Sequence, residues 1–269
     1  MPFLPLEGVD LYYETTGRGP LLLLISGADG RGSVWNDFAQ ELSTEYTVVT
    51  LDRRGYSQSL IKGAQDYTHR LDIDADDIAH LITRLNPGGG ATVIGNSPGA
   101  TVGINLLLRH PDQVHKLICH EPPAFGALEA AHRELGIQMV THIYNTYRQA
   151  GPIRAMEVFT GGLSVGQEGQ LMRSLLHPGH SYEIRANSLL WFEFELRQYP
   201  SSDVDMKGLL ALRDKFVPAA GIASGDEAGV GPIAAIAHAL GRDILRLPGG
   251  HLGFITDPKS WAKAILEAI

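Results

Sequence analysis

A single cysteine, Cys119, stands in a chain of 269 residues. One thiol cannot close an intrachain disulfide, so the small disulfide-stapled secreted scaffolds are excluded. Its surroundings, Lys116-Leu-Ile-Cys119-His, read as a buried strand, which makes Cys119 a core residue and not a reactive thiol. Long hydrophobic runs are missing too. The longest purely aliphatic stretch runs from Leu21 to Ile25, far short of the roughly 20 residues a membrane-spanning helix needs. The opening MPFLPLEGVDLYYE lacks the basic-then-apolar layout of a signal peptide. The expectation is a soluble, cytoplasmic protein with no membrane partner. Basic clusters are scarce: the longest is Arg53-Arg54, and 22 basic against 30 acidic residues leave a net charge of −8. That balance argues against nucleic acid as a partner. There is no H-E-x-x-H, no paired His/Cys spacing and no phosphate loop ending in Gly-Lys-Ser/Thr, so neither metal nor cofactor is expected. The glycines of 88–95 precede a strand instead of joining strand to helix, which excludes a dinucleotide fingerprint.

What is present is an ordinary globular composition, 44% hydrophobic and 19% charged. The length suits one large α/β domain or a core with one insertion. Apolar strand-like runs alternate with helix-like runs. Leu11–Glu14, Leu21–Ile25, Thr47–Leu51, Ala91–Ile94, Leu117–His120, Ala219–Ala223 and Ile244–Leu247 read as strands. Helices read over Asp72–Leu85, Gly99–Arg109 and Trp261–Ile269. This alternation predicts a mostly parallel, doubly wound sheet wrapped by helices. From about 124 to 207 the alternation stops. That stretch is rich in helix formers and aromatics, with breaks at Gly161-Gly162 and His177-Pro-Gly179, and reads as a helical cap inserted into a core made of 1–123 and 208–269.

The run Gly95-Asn-Ser-Pro-Gly99 fits G-x-S-x-G between a buried strand and an apolar helix, the context in which that pattern presents a nucleophilic serine, Ser97. A glycine-containing loop, Ile25-Ser-Gly-Ala-Asp-Gly-Arg-Gly32, follows the Leu21–Ile25 strand. The run Leu51-Asp-Arg-Arg-Gly-Tyr-Ser-Gln-Ser59 follows the next one, and Leu247-Pro-Gly-Gly-His-Leu-Gly-Phe254 follows the last. Together these runs resemble the α/β-hydrolase superfamily over essentially the whole chain apart from the cap. The resemblance implies the α/β-hydrolase fold, His251 as general base and the Ala28 N–H as an oxyanion donor. It gives the D-R-R-G loop a structural role, so no catalysis falls to Asp52 or Arg54.

For the acid that orients His251, two candidates stay open. Asp226, in Ile222-Ala-Ser-Gly-Asp-Glu, lies after the penultimate strand, the commonest position in the superfamily. Glu121, in Cys119-His-Glu-Pro-Pro, lies at the end of the strand before the cap. A subset of the superfamily, including the zearalenone-type lactone hydrolases, takes its acid from a Glu in such a Cys-His-Glu stretch. Glu121 is preferred and Asp226 kept as the alternative.

Pro98 breaks the pattern. The second oxyanion donor is normally the N–H of the residue after the nucleophile, and proline has none. Either a hydroxyl such as Ser26 replaces it, or the substrate is an activated ester or lactone, or no tetrahedral oxyanion forms. The expectation is a serine hydrolase acting on a small-molecule ester or lactone, with Trp191 of the cap as a substrate contact. A cofactor-free non-hydrolytic enzyme or a ligand receptor on the same scaffold is the alternative. Oligomeric state is left open, a homodimer included.

Overall fold

The computed structural model describes residues 3–161, 166–225 and 229–268. Among these, nine strands form one sheet: β1 (Phe3–Leu6), β2 (Val9–Thr16), β3 (Leu21–Ile25), β4 (Thr47–Leu51), β5 (Leu60–Ile61), β6 (Ala91–Asn96), β7 (Val114–His120), β8 (Phe216–Gly221) and β9 (Leu245–Leu247). Their order is β1-β2-β4-β3-β6-β7-β8-β9, with β5 paired to β2. Pairing is parallel from β4 through β9 and antiparallel among β1, β2, β4 and β5. The same residues contain helices α1 (Asn36–Leu42), α2 (Arg70–Leu85), α3 (Pro98–Arg109), α4 (Ala130–Gly161), α5 (Gly166–Leu176), α6 (Tyr182–Phe194), α7 (Gln198–Ser201), α8 (Met206–Ala211), α9 (Val230–Leu240), α10 (Gly253–Thr256) and α11 (Pro258–Ala268).

The unbroken apolar run of β3 explains the layering. Leu21, Leu23 and Ile25 point into one core, with Ile78, Leu81 and Ile82 of α2 and the apolar face of α3. Leu22 and Leu24 point into the other, with Phe38 of α1 and Trp261 and Ile265 of α11. Successive strand residues face opposite ways, so a strand covered on both faces must be apolar throughout.

Some boundaries differ from the sequence reading, each for a physical reason. β8 ends at Gly221 rather than running to Ala223, because the 248–252 loop crosses it there. A Cβ on Gly221 would lie 2.6 Å from the Gly250 Cα. Strands β1 and β5 are apolar but short, four and two residues, and mostly exposed, so no burial period marks them. Helix α9, absent from the sequence reading, carries Pro232 in its first turn, where the missing N–H costs nothing.

The segment between β7 and β8 contains only helices among its described residues, α4 to α8. α4 is broken at Gly151 (φ 82°), directly before Pro152. α4 ends at Gly161, with Gly162 outside the described residues, and residues 177–181 separate α5 from α6. Trp191, Phe192, Val140 and Ile143 build a third core here, closed from below by Tyr56 and Phe125. Among the described residues no helix is long and apolar enough to cross a membrane.

Candidate active site

Gly95 and Gly99 let β6 turn sharply into α3. A Cβ on Gly95 would lie 2.5 Å from the Gly99 carbonyl oxygen, and one on Gly99 would lie 2.4 Å from that of Ile25. Between them Ser97 takes φ 57° and ψ −129°. Few residues other than glycine accept such a backbone, and it persists where its surroundings fix it. Here the Ser97 N–H donates to the His120 carbonyl at 2.9 Å, and α3 starts at once with Pro98.

Glu121 follows β7 and is also held at positive φ, 50°. Its side chain is fully buried. Oε2 meets His251 Nδ1 at 2.6 Å, and Oε1 accepts the Gly221 N–H at 2.8 Å. Burial by itself would raise the Glu121 carboxyl. The His251 hydrogen bond and the neighbouring histidine charges outweigh it and hold the group down at about 2. Ser97, Glu121 and His251 line one cavity. Asp226, the alternative acid, lies outside the described residues.

Asn96, the x of G-x-S-x-G, does work that the motif gave no sign of. Its Nδ2 donates to the His251 carbonyl at 3.2 Å and meets His120 Nδ1 at 2.9 Å. A carbonyl can only accept, which fixes the amide nitrogen on that side. His120 Nδ1 must then accept as well, so its proton resides on Nε2. That nitrogen lies 3.6 Å from Glu121 Oε1. Burial depresses the His120 imidazole to about 4, overriding the Glu121 charge, so it is neutral at pH 7. The Cys-His-Glu run therefore places a neutral, uncharged neighbour against the buried Glu121 carboxylate.

The cavity has two lobes that meet at Ser97, His251 and Phe159. One is walled by Pro98, Phe125, Met139, Val140, Trp191 and Leu196. The other is walled by Ala28, Val34, Met172, Leu175, Leu252 and Phe254. Trp191 is thus on the wall of the first lobe, packed against Phe159 with ring centroids 4.7 Å apart. Tyr144 instead lies under the Arg197 guanidinium, and Phe194 stacks on Tyr67. Ser26 lines neither lobe. Its hydroxyl is buried without a hydrogen-bond partner among the described residues.

Arg53 explains the structural weight of the D-R-R-G loop. Its guanidinium donates to the carbonyls of Ser26 (3.2 Å) and Gly27 (2.9 Å), pinning the loop that carries Ala28. It also pairs with Asp74 of α2 and with Glu195 at the end of α6, both at 2.8 Å. Arg70 binds the second Glu195 oxygen at 2.9 Å. Burial opposes the ionised form of Glu195, and the charges of Arg53 and Arg70 overcome it, holding its carboxyl below the usual range. Sequence spacing gave no hint that Glu195, 142 residues from Arg53, would complete this group.

The family described as alpha/beta hydrolase fold matches residues 20–142, the span that contains Ala28, Ser97 and Glu121. Over that span the chain matches the alpha/beta hydrolase family, and its fold is the α/β-hydrolase fold. It is 28% identical over 272 residues to the uncharacterized hydrolase YraK of Bacillus subtilis (strain 168), covering 99% of this chain and 94% of that protein. It is 27% identical over 271 residues to the zearalenone hydrolase of Bionectria ochroleuca, covering 97% and 94%. Among solved structures it superposes on Est816, described as an N-acyl homoserine lactone degrading enzyme, with a TM-score of 0.74 at 17% identity and complete coverage of both chains. Both sequence relatives carry the name of hydrolase, and hydrolase is the enzyme class this likeness supports.

Proposed function

We propose that the protein is a serine hydrolase that cleaves carboxylic esters or lactones of apolar small molecules, with Ser97 as nucleophile, His251 as general base and Glu121 as the acid that orients it. The observation that carries this reading is the 2.6 Å contact of Glu121 Oε2 with His251 Nδ1 on the wall of a cavity that also holds Ser97 at a strained turn. Ser97 Oγ attacks the carbonyl carbon while His251 takes its proton. The oxyanion accepts the Ala28 N–H, and its collapse expels the alcohol, protonated by the imidazolium. Water then repeats the sequence and frees the acid. Glu121, kept ionised by its surroundings, stabilises the imidazolium throughout.

The two lobes support the substrate class. They extend from Ser97 in two directions and their walls are mostly apolar, which suits a carbonyl with a bulky apolar group on either side. In this reading residues 124–207 act as a cap, with Trp191 touching the substrate. Pro98 favours a second reading, a non-hydrolytic enzyme or ligand receptor on the same scaffold, since it removes one oxyanion donor.

Incubation with an aryl ester, followed by trapping with a fluorophosphonate, tests the proposal. Label on Ser97 and steady ester turnover are expected; an unlabelled Ser97 would refute it. Comparing Glu121→Gln with Asp226→Asn tests the acid, and the larger loss of turnover is expected for Glu121→Gln.

A further inference from the structure

His251 is held by a second carboxylate, and that carboxylate comes from the helical insertion. Glu168 sits in the first turn of α5. One oxygen accepts the Gly250 N–H at 2.7 Å and the other accepts the Leu252 N–H at 2.9 Å. Those are the N–H groups of the two residues that flank His251. The first oxygen is also 3.5 Å from the Thr256 hydroxyl. Gly249 stands at φ 76°, where a Cβ would lie 2.9 Å from the Gly253 Cα and 3.0 Å from Glu168 Oε1, and a Cβ on Gly250 would lie 2.8 Å from Oε2.

A loop whose two N–H groups grip one carboxylate cannot rotate its intervening residue freely. The His251 carbonyl is fixed separately, by Asn96 Nδ2. Three backbone anchors therefore set where the imidazole points, and only Glu168 comes from outside the sheet and its loops. The helix that presents it also sends Met172, Leu175 and Leu176 into the second lobe. Occupancy of that lobe and placement of His251 share one element.

We propose that Glu168 is a positioning residue, through which the inserted helices hold His251 in its working orientation. This rests on the hydrolytic reading of Ser97 and His251. Because no N–H of Gly250 or Leu252 reacts, Glu168 acts only by fixing geometry. Displacing a catalytic group by about 1 Å costs up to about 100-fold in rate.

Glu168→Ala should lower kcat for an aryl ester by about 10- to 100-fold with KM changed less than three-fold, and should slow fluorophosphonate labelling of Ser97 in the same proportion. Glu168→Gln keeps the size and one acceptor but turns an amide NH2 toward the other N–H, so its loss should be intermediate at a wild-type Tm. If the alanine variant folds poorly, this near-isosteric variant carries the test. A third readout needs no turnover: the downfield proton NMR signal of the His251 Nδ1–Glu121 hydrogen bond should broaden or vanish in both variants. Unchanged kcat with an unchanged signal would overturn the proposal, as would a loss confined to KM. An unlabelled Ser97 in the unsubstituted protein would overturn the hydrolytic reading instead, and the NMR signal would still decide the role of Glu168.

Discussion

Pro98 sits at the first position of α3, where its ring is sterically comfortable and its absent N–H leaves no helical bond unmade. The fold loses nothing by it. In the proposed hydrolysis the oxyanion has one donor fewer at the point where charge develops, and one such donor is worth about 10²–10³ in rate. Ser26 lines neither lobe of the cavity. On the proposed reading, an activated ester or lactone, which needs less help to expel its alcohol, suits this site. Pro98→Ser returns an N–H without disturbing the turn, because serine tolerates a helix N-terminus. Ester hydrolysis should rise by about ten-fold or more, measured as kcat/KM on an aryl ester. A native enzyme that is already fast and a variant that is no faster would mean that the missing N–H never limited the reaction.

At the level of elements, the group joining Arg53, Arg70, Asp74 and Glu195 links the loop after β4, helix α2 and the end of α6. Every member is nearly solvent-free. Burying such charges is expensive, and the arrangement persists because each partner offsets another. Removing one partner leaves the others stranded in a medium that solvates them poorly. Glu195→Ala, which leaves Arg53 with only Asp74 and Arg70 with no carboxylate partner, should cost about 3–5 kcal/mol in urea unfolding. The helices around α6 should also lose hydrogen-exchange protection before the sheet does. A loss below about 1 kcal/mol would place these charges in the class of surface pairs and remove them as the tie between α6 and the sheet. Arg53 further holds the carbonyls of Ser26 and Gly27, so the variant should slow turnover as well.

For the whole molecule, the sheet was legible because its central strands are buried on both faces and their sequences are correspondingly uninterrupted, β3 most clearly. Ser97 and His251 were legible because each sits in a glycine-flanked turn that only a sharp chain reversal requires. Asn96, Arg53, Glu168 and Glu195 were not, because their roles arise from contacts across the fold that no local pattern encodes. The pH dependence of stability is likewise a property of the sum. His120 has its folded value near 4 against an ordinary 6.5, chiefly through burial. The unfolded chain therefore binds a proton first, and this residue's contribution falls as the pH drops from 6.5 to 4, then levels off. A shift of that size corresponds to about 3 kcal/mol. Glu121, held near 2 against 4.5, adds a loss in the same direction between those two values. Asp29 and Asp77 oppose both: burial raises each to about 6, so the folded state takes up protons first and gains stability as the pH falls toward 3.8. The net profile of the wild type cannot isolate any one of them. A difference can. The Asp29 and Asp77 terms cancel between the wild type and His120→Gln, whose side chain still offers Asn96 an acceptor and does not titrate, and the Glu121 term enters only below 4.5. The variant should be the less stable at pH 7.5, and the gap in unfolding free energy should shrink by about 3 kcal/mol by pH 4. A gap constant across that range would mean that His120 is not held neutral by its burial.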